Sequence, residues 1–199
     1  HKIKFFIFFT VVLLVSLPAI SQIKLPIVNN FNIKDYKAGN QNWSVESIGG
    51  YVYIGNNEGL LEFDGLNWYL HQLPNKNIVR SVKVIGDRIY TGSYEEFGYW
   101  DRLKTGMLKY TSLSKKLPFK DIDSQSIWDI YDFNDKVIFK SFAAIYIFSD
   151  TTFKIIKPGY ILMTASVINN RFITQGKGIG LLELKDDKLV FDSYLDDCQ

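Results

Sequence analysis

The stretch YVYIGNNEGLLEFDGLNW, Tyr51–Trp68, alternates apolar and polar residues, breaks at Asn56-Asn57-Glu58-Gly59, alternates again and breaks at Asp64-Gly65. Period-two alternation bounded by Asn, Asp and Gly reads as a strand, a tight turn and a second strand. The pattern extends outward in both directions. Upstream, NWSVESI (Asn42–Ile48) enters through Gly49-Gly50; downstream, NWYLH (Asn67–His71) supplies a fourth strand.

The same four-strand rhythm recurs three more times. Each repeat opens on a β-branched or aromatic strand that ends in a two-residue turn: Gly49-Gly50, Gly86-Asp87, Asn134-Asp135 and Asn169-Asn170. These residue types accept the positive φ that primed hairpin turns need. The second strands are YVYIG, RIYTG, KVIFK and RFITQ; the third are GLLEFD, FGYWD, AIYIFSD and IGLLELK. From turn to turn the spacing is 37, 48 and 35 residues. Four strands at a period of about 40 residues predict β-propeller blades. The long interval carries SKKLPFKDIDSQ, Ser114–Gln125, expected to be a polar loop on one face. A lone four-stranded meander has two apolar faces and buries neither, whereas stacked blades bury both and leave only short edges. Recurring aromatics (Phe63, Trp68, Tyr99, Trp100, Trp128, Tyr146, Phe148) supply the contact area between blades.

The expected fold class is therefore all-β, a propeller of four-stranded antiparallel blades at about 42–75, 76–120, 121–158 and 159–199, after a lead-in over 22–41. Propellers hold about 4–8 blades. The last repeat stops at SYLDDCQ without a closing strand, so an incomplete part of a larger propeller, truncated at its C-terminus, is expected. A complete four-bladed ring is the alternative.

The N-terminus reads as an address. Lys2 and Lys4 precede the uncharged run FFIFFTVVLLVSL and then PAISQ. A short basic region, a short apolar core and a small-x-small site make a signal peptide over 1–21, cleaved between Ser21 and Gln22. The run is short for a spanning helix, which needs about 20 residues. The opening His1 in place of Met points to a cut or processed start. Removing the leader lowers Lys+Arg from 23 to 21 against 21 acidic residues, so the mature chain is neutral and gives no support to nucleic-acid binding. The single cysteine, Cys198, offers no disulfide framework and is assigned no role.

Catalytic and metal motifs are sparse. His71 is the only histidine besides His1 and is expected to be a rim or surface residue. One histidine and a terminal cysteine build no zinc or copper site. No serine lies in a Gly-x-Ser-x-Gly elbow. Asp121–Asp123 lack the spacing and the glycine of a calcium loop. Glu95 and Glu96, as strand neighbours, point to opposite faces and do not flank one glycosidic bond. GKGIG, Gly176–Gly180, precedes a strand and reads as a hairpin turn rather than a phosphate loop. Trp43, Trp68, Trp100 and Trp128 could stack on sugars or peptides at a propeller mouth, but blade packing is expected for at least three of the four. No catalytic residue, metal ligand or cofactor is assigned, and ligand-binding residues are left open.

Asn30–Trp68 resembles the opening blade of the two-component-regulator propeller family, periplasmic sensor domains common in Bacteroidetes. NQNW at Asn40–Trp43, GNNEGLLEFDG at Gly55–Gly65 and the following Trp68 carry the likeness, and EEFGYW at Glu95–Trp100 is similar to the second-blade motif. The third and fourth repeats match only in rhythm; SFAAIYIF lacks the glycine before its third strand. The resemblance implies further downstream parts: a three-tyrosine domain, one transmembrane helix, and a cytoplasmic histidine kinase or DNA-binding output. It implies a non-catalytic sensor at the periplasmic face of the inner membrane, a small-molecule or glycan ligand, those downstream domains as partners, and room for a homodimer of the full-length protein. The rival expectations are a secreted or periplasmic binding propeller without signalling output and, further off, an exported propeller lyase or glycosidase.

Overall fold

The four hairpin turns close as their residues dictate. In the computed structural model, which describes residues 28–191, Gly49-Gly50, Asn134-Asp135 and Asn169-Asn170 have positive φ at both positions, and Gly86 has it at the first of its pair. Each turn joins the first two strands of one sheet. Sheet 1 is β1 (Asn42–Ile48), β2 (Tyr51–Asn56), β3 (Gly59–Phe63) and β4 (Trp68–His71); sheet 2 is β5 (Ser81–Ile85), β6 (Arg88–Gly92), β7 (Phe97–Arg102) and β8 (Leu108–Ser112). Sheet 3 is β9 (Asp129–Phe133), β10 (Lys136–Lys140), β11 (Ile145–Ser149) and β12 (Thr152–Ile156). Sheet 4 is β13 (Leu162–Ile168), β14 (Arg171–Gly176), β15 (Gly180–Lys185) and β16 (Lys188–Phe191). Every sheet is a four-stranded antiparallel meander in chain order. The signal peptide with its Ser21–Gln22 site, and Cys198, lie outside the described residues.

The sheets stack in sequence, and strand parity decides what meets what. On β6, Ile89 joins Tyr53, Leu60, Val82 and Trp100 between sheets 1 and 2, while its neighbour Tyr90 joins Phe97, Phe139 and Tyr146 between sheets 2 and 3. On β10, Phe139 faces sheet 2 and Ile138 faces Phe172 and Leu184 of sheet 4. Successive residues on a strand point to opposite faces, so the middle sheets are apolar on both sides. Phe97 is the hub of the second cluster, with ring centroids 4.4 Å from Phe139 and 5.3 Å from Tyr146. The first strands run side by side, β1 against β5, β5 against β9 and β9 against β13. They therefore lie nearest a common axis.

Two segments depart from the sequence reading. Ser114–Gln125 is not a plain polar loop. It forms a 3₁₀ turn (Ser114–Lys116) and a short helix, here α2 (Phe119–Ile122). Ile122 is buried, and Leu117 packs against the same cluster between sheets 2 and 3. Two aliphatic residues in a polar stretch suffice to anchor it, and Tyr146 Oη donates to the Asp121 carbonyl at 2.7 Å. The lead-in also folds: α1 (Ile33–Tyr36) starts on Asn32, whose side chain accepts from the Lys34 amide while Asp35 accepts from the Asn32 amide. Phe31 and Tyr36 then close over Phe63 and Trp68 on the outer face of sheet 1.

Candidate functional site

One residue stands six positions before the first turn residue of each repeat: Trp43, Arg80, Trp128 and Met163. The register makes the first three equivalent. Ser44 pairs with Gly55, Ser81 with Gly92 and Asp129 with Lys140. Trp43, Arg80 and Trp128 thus each sit one residue ahead of that pair, at the entrance to an innermost strand. Sheets 1 and 4 both have a register shift at this entrance, between Asn42 and Ser44 and between Leu162 and Ala165, and Met163 is exposed.

The three side chains meet. The Arg80 guanidinium carbon lies 4.6 Å from the Trp43 ring centroid and 4.5 Å from that of Trp128. The two indoles are 6.0 Å apart and nearly perpendicular, at 72°. Arg80 therefore fills the corner between them. Its backbone N–H donates to the Gly92 carbonyl at 2.8 Å, and Trp43 Nε1 donates to Asn57 Oδ1 at 2.9 Å, so both the strand entrance and one ring are fixed. Phe142, exposed, extends the aromatic surface at 5.4 Å from Trp128. Glycine makes the approach feasible: a Cβ on Gly92 would lie 2.5 Å from Ile127 Cγ2, the residue that leads into Trp128.

Beside this corner opens a cleft of about 430 Å³ between the innermost strands, lined by Ser44, Glu46, Ser81, Lys83, Trp128, Asp129 and Val167 among others. Its charges are largely spoken for. Lys83 Nζ meets Glu46 at 2.8 Å. Lys140, fully buried, reaches Asp129 at 3.3 Å and donates to the Met163 carbonyl at 2.5 Å. Burial pushes the Lys140 ammonium pKa down, with Asp129 opposing. Among the described residues, Asp132 in the cleft and Arg80 in the corner beside it have no ion-pair partner. The Arg80 Nε is buried without a hydrogen-bond partner. The other three arginines of the chain each hold a carboxylate: Arg88 with Asp101, Arg102 with Glu62, Arg171 with Glu183.

The sequence candidates fall elsewhere. His71 is half-buried between sheets 1 and 2, with Nε2 at 2.7 Å from Glu62 and its ring against Trp100. A groove of about 450 Å³ opens there, lined by Tyr51, Glu62, Tyr69, His71 and Arg102, but Glu62, Arg102 and His71 satisfy one another. Glu95 and Glu96 lie in the β6–β7 turn, not on a strand, and they diverge. Glu95 accepts from the Ser124 amide, while buried Glu96 accepts from Tyr110, Ser112 and Ser114. Asp121 pairs with Lys157 at 2.9 Å, and Gly176–Gly180 spans the β14–β15 turn. No group of three acidic, histidine or cysteine residues suited to a metal exists among the described residues. No helix among them is long and apolar enough to cross a membrane.

The tryptophans correct the packing expectation. Only Trp100 is buried in the core; Trp43, Trp68 and Trp128 are half-buried. Trp68 packs outside sheet 1, and Trp43 and Trp128 belong to the corner. Arg80 was not singled out by the sequence, although its place six residues before a turn, in register with two tryptophans, was legible.

At the level of sequence, no family model and no curated protein matches the chain. Solved structures do match. The extracellular domain of a Bacteroides thetaiotaomicron protein, BT4673, assigned as a one-component system, aligns with TM-score 0.60 over 86% of this chain and 24% of its own, at 14% identity. The WD40 propeller domain of Doa1 aligns with TM-score 0.57 over 78% of this chain and 55% of its own, also at 14% identity. The fold is a β-propeller. The designed protein Ika8 aligns with TM-score 0.56 over 74% of this chain, at 10% identity, and the chain spans 46% of that protein. It spans about a quarter of the Bacteroides domain. At these identities the likeness is one of fold. The four sheets are four propeller blades, and the corner lies where their innermost strands begin.

Proposed function

We propose that the chain is the extracytoplasmic ligand-sensing β-propeller of a membrane-anchored two-component-type signalling or transcriptional regulatory protein, non-catalytic in this segment. One observation carries the proposal: an arginine without a counter-charge, set between two tryptophans in equivalent positions of three blades, beside a cleft on the axis. Two cation–π contacts, about 0.5–2 kcal/mol each, offset the cost of about 1–3 kcal/mol for a buried donor without an acceptor, but they supply no counter-charge. Aromatic faces flanked by a cation suit a small molecule or glycan. The leader-like residues 1–21 and the fold shared with a bacterial extracellular domain support export. Ligand binding at the mouth ties three blades together and so biases the packing of downstream domains of the same protein.

A thermal-shift screen of the purified chain against extracellular saccharides, peptides and organic acids tests this. One ligand class is expected to raise the melting temperature, to lose that effect in Trp43→Ala and Trp128→Ala, and to be recovered unchanged. Consumption of the ligand would make the protein an exported enzyme. Stabilisation that survives both substitutions would remove the mouth as the site.

A further inference from the structure

We propose that the mouth takes its ligand by a carboxylate group, held by the guanidinium of Arg80. This rests on the mouth being the sensing site and adds what the ligand must carry. Arginine stays protonated at any accessible pH, so its charge is answered by an anion or by water. Here the two indoles cover much of the group and Nε is buried without an acceptor, so the terminal amines are what a ligand reaches. The three other arginines show what this protein supplies when the partner is internal: a carboxylate each. At Arg80 that partner is missing from the chain's described residues. A planar guanidinium matches a carboxylate through two parallel N–H···O bonds, and a water-poor aromatic corner strengthens them.

The cleft limits how much negative charge the ligand carries. Glu46 is neutralised by Lys83 and Asp129 by Lys140, so neither supplies the missing acid. Asp132 also lines the cleft. It stands three residues beyond Asp129 on β9, about 10 Å along the strand. A densely anionic chain entering the cleft would be repelled there, whereas a single acid at Arg80, in the corner beside the cleft, would not. The ligand class is therefore a monocarboxylate on a neutral body able to stack on an indole, such as a uronic acid or a peptide C-terminus.

The test uses the side-chain Nε–Hε signals of the four arginines, read by ¹⁵N NMR on the whole chain, with Arg80 assigned by the signal lost in Arg80→Lys. Sodium acetate and its neutral analogue acetamide are titrated to about 100 mM at constant ionic strength. The Arg80 signal alone is expected to shift saturably with acetate, and at least about tenfold less with acetamide. In parallel, tryptophan quenching is expected to show galacturonate binding about tenfold tighter than galactose, a preference lost in Arg80→Lys, which keeps the charge but not the fork. An Arg80 signal unmoved by acetate, moved equally by acetamide, or moved more by inorganic phosphate overturns the proposal. In those cases a neutral ligand that still needs Trp43 and Trp128 would leave the sensing site standing without its carboxylate.

Discussion

Replacing Glu62 by Gln isolates the electrostatic link between the first two blades. Glu62 lies on β3 with its side chain 4% exposed. One carboxylate oxygen receives Arg102 of the second blade, and the other meets His71 Nε2 at 2.7 Å. Arg102 also donates to Tyr53 Oη and to the Gly106 carbonyl, both at 2.7 Å, so it is not stranded when the charge goes. Glutamine keeps the shape, turning its oxygen to Arg102 and its amide to the His71 ring. Two bonds to a carboxylate, worth about 1.5–3 kcal/mol each, are replaced by one from the still-charged guanidinium to a neutral oxygen and one from the amide to the His71 ring, a loss of about 2 kcal/mol in all. For a chain of this size that lowers the melting temperature by about 4–8 °C. The assay is thermal unfolding at pH 7, with Arg102→Met and the double variant completing a cycle. The double variant is expected to lose much less than the sum of the singles. A loss below about 0.5 kcal/mol for Glu62→Gln, or additive singles, would refute the link. The pH dependence has a fixed sign. Burial raises the Glu62 carboxyl, but hydrogen bonds from His71 and Arg102 outweigh it and hold the pKa below the ordinary value. The contribution is therefore present above the unfolded-state pKa and lost as pH falls through the folded one.

Trp128→Ala and Trp100→Ala should separate recognition from packing: the buried Trp100 is expected to cost about 3–5 kcal/mol in unfolding measurements. The half-buried Trp128 should cost only about 1–2 while abolishing the ligand's thermal shift. Lys140→Met should leave stability unchanged or raise it, because a buried ammonium gives way to an apolar chain of similar length and Asp129 is free to hydrate; a drop of more than about 5 °C would show the ion pair to be stabilising on balance. Glu183 hydrogen-bonds Arg171 at 2.6 Å and Lys185 at 2.9 Å, which holds its pKa down at about 2 against an ordinary 4.5. Stability is expected to fall between pH 4.5 and about 2, and Glu183→Gln should flatten that part of the curve.

The blades were legible because their information is local. Gly49-Gly50, Asn134-Asp135 and Asn169-Asn170 occupy the left-handed region wherever they occur, and period-two alternation between such turns leaves few alternatives to a meander. The fate of each tryptophan was not local. Trp100 lies within a strand whose face is covered by the first blade, whereas Trp43 and Trp128 sit at strand entrances, half-buried against Arg80 of the second blade and against each other. Composition and β-propensity are the same in both places; only the register tells them apart. Arg80 was harder still, since VRSVKVI reads as an ordinary strand start and its meaning comes from the indoles that other blades bring to it. The Ser114–Gln125 insertion looked solvated because its charges outnumber Leu117 and Ile122, yet those two side chains decide where it lies.

The most direct measurement on the whole protein is the transcriptional response of the native host with Arg80→Gln placed in the chromosome, compared with deletion of the gene, during growth on a series of acidic and neutral saccharides and peptides. A sensing mouth requires that the genes losing their response in the deletion also lose it in Arg80→Gln, on the same acidic nutrient and with normal protein levels. A deletion without any transcriptional consequence would make the chain a binding protein that does not signal. A deletion phenotype left intact by Arg80→Gln would place sensing elsewhere on the molecule.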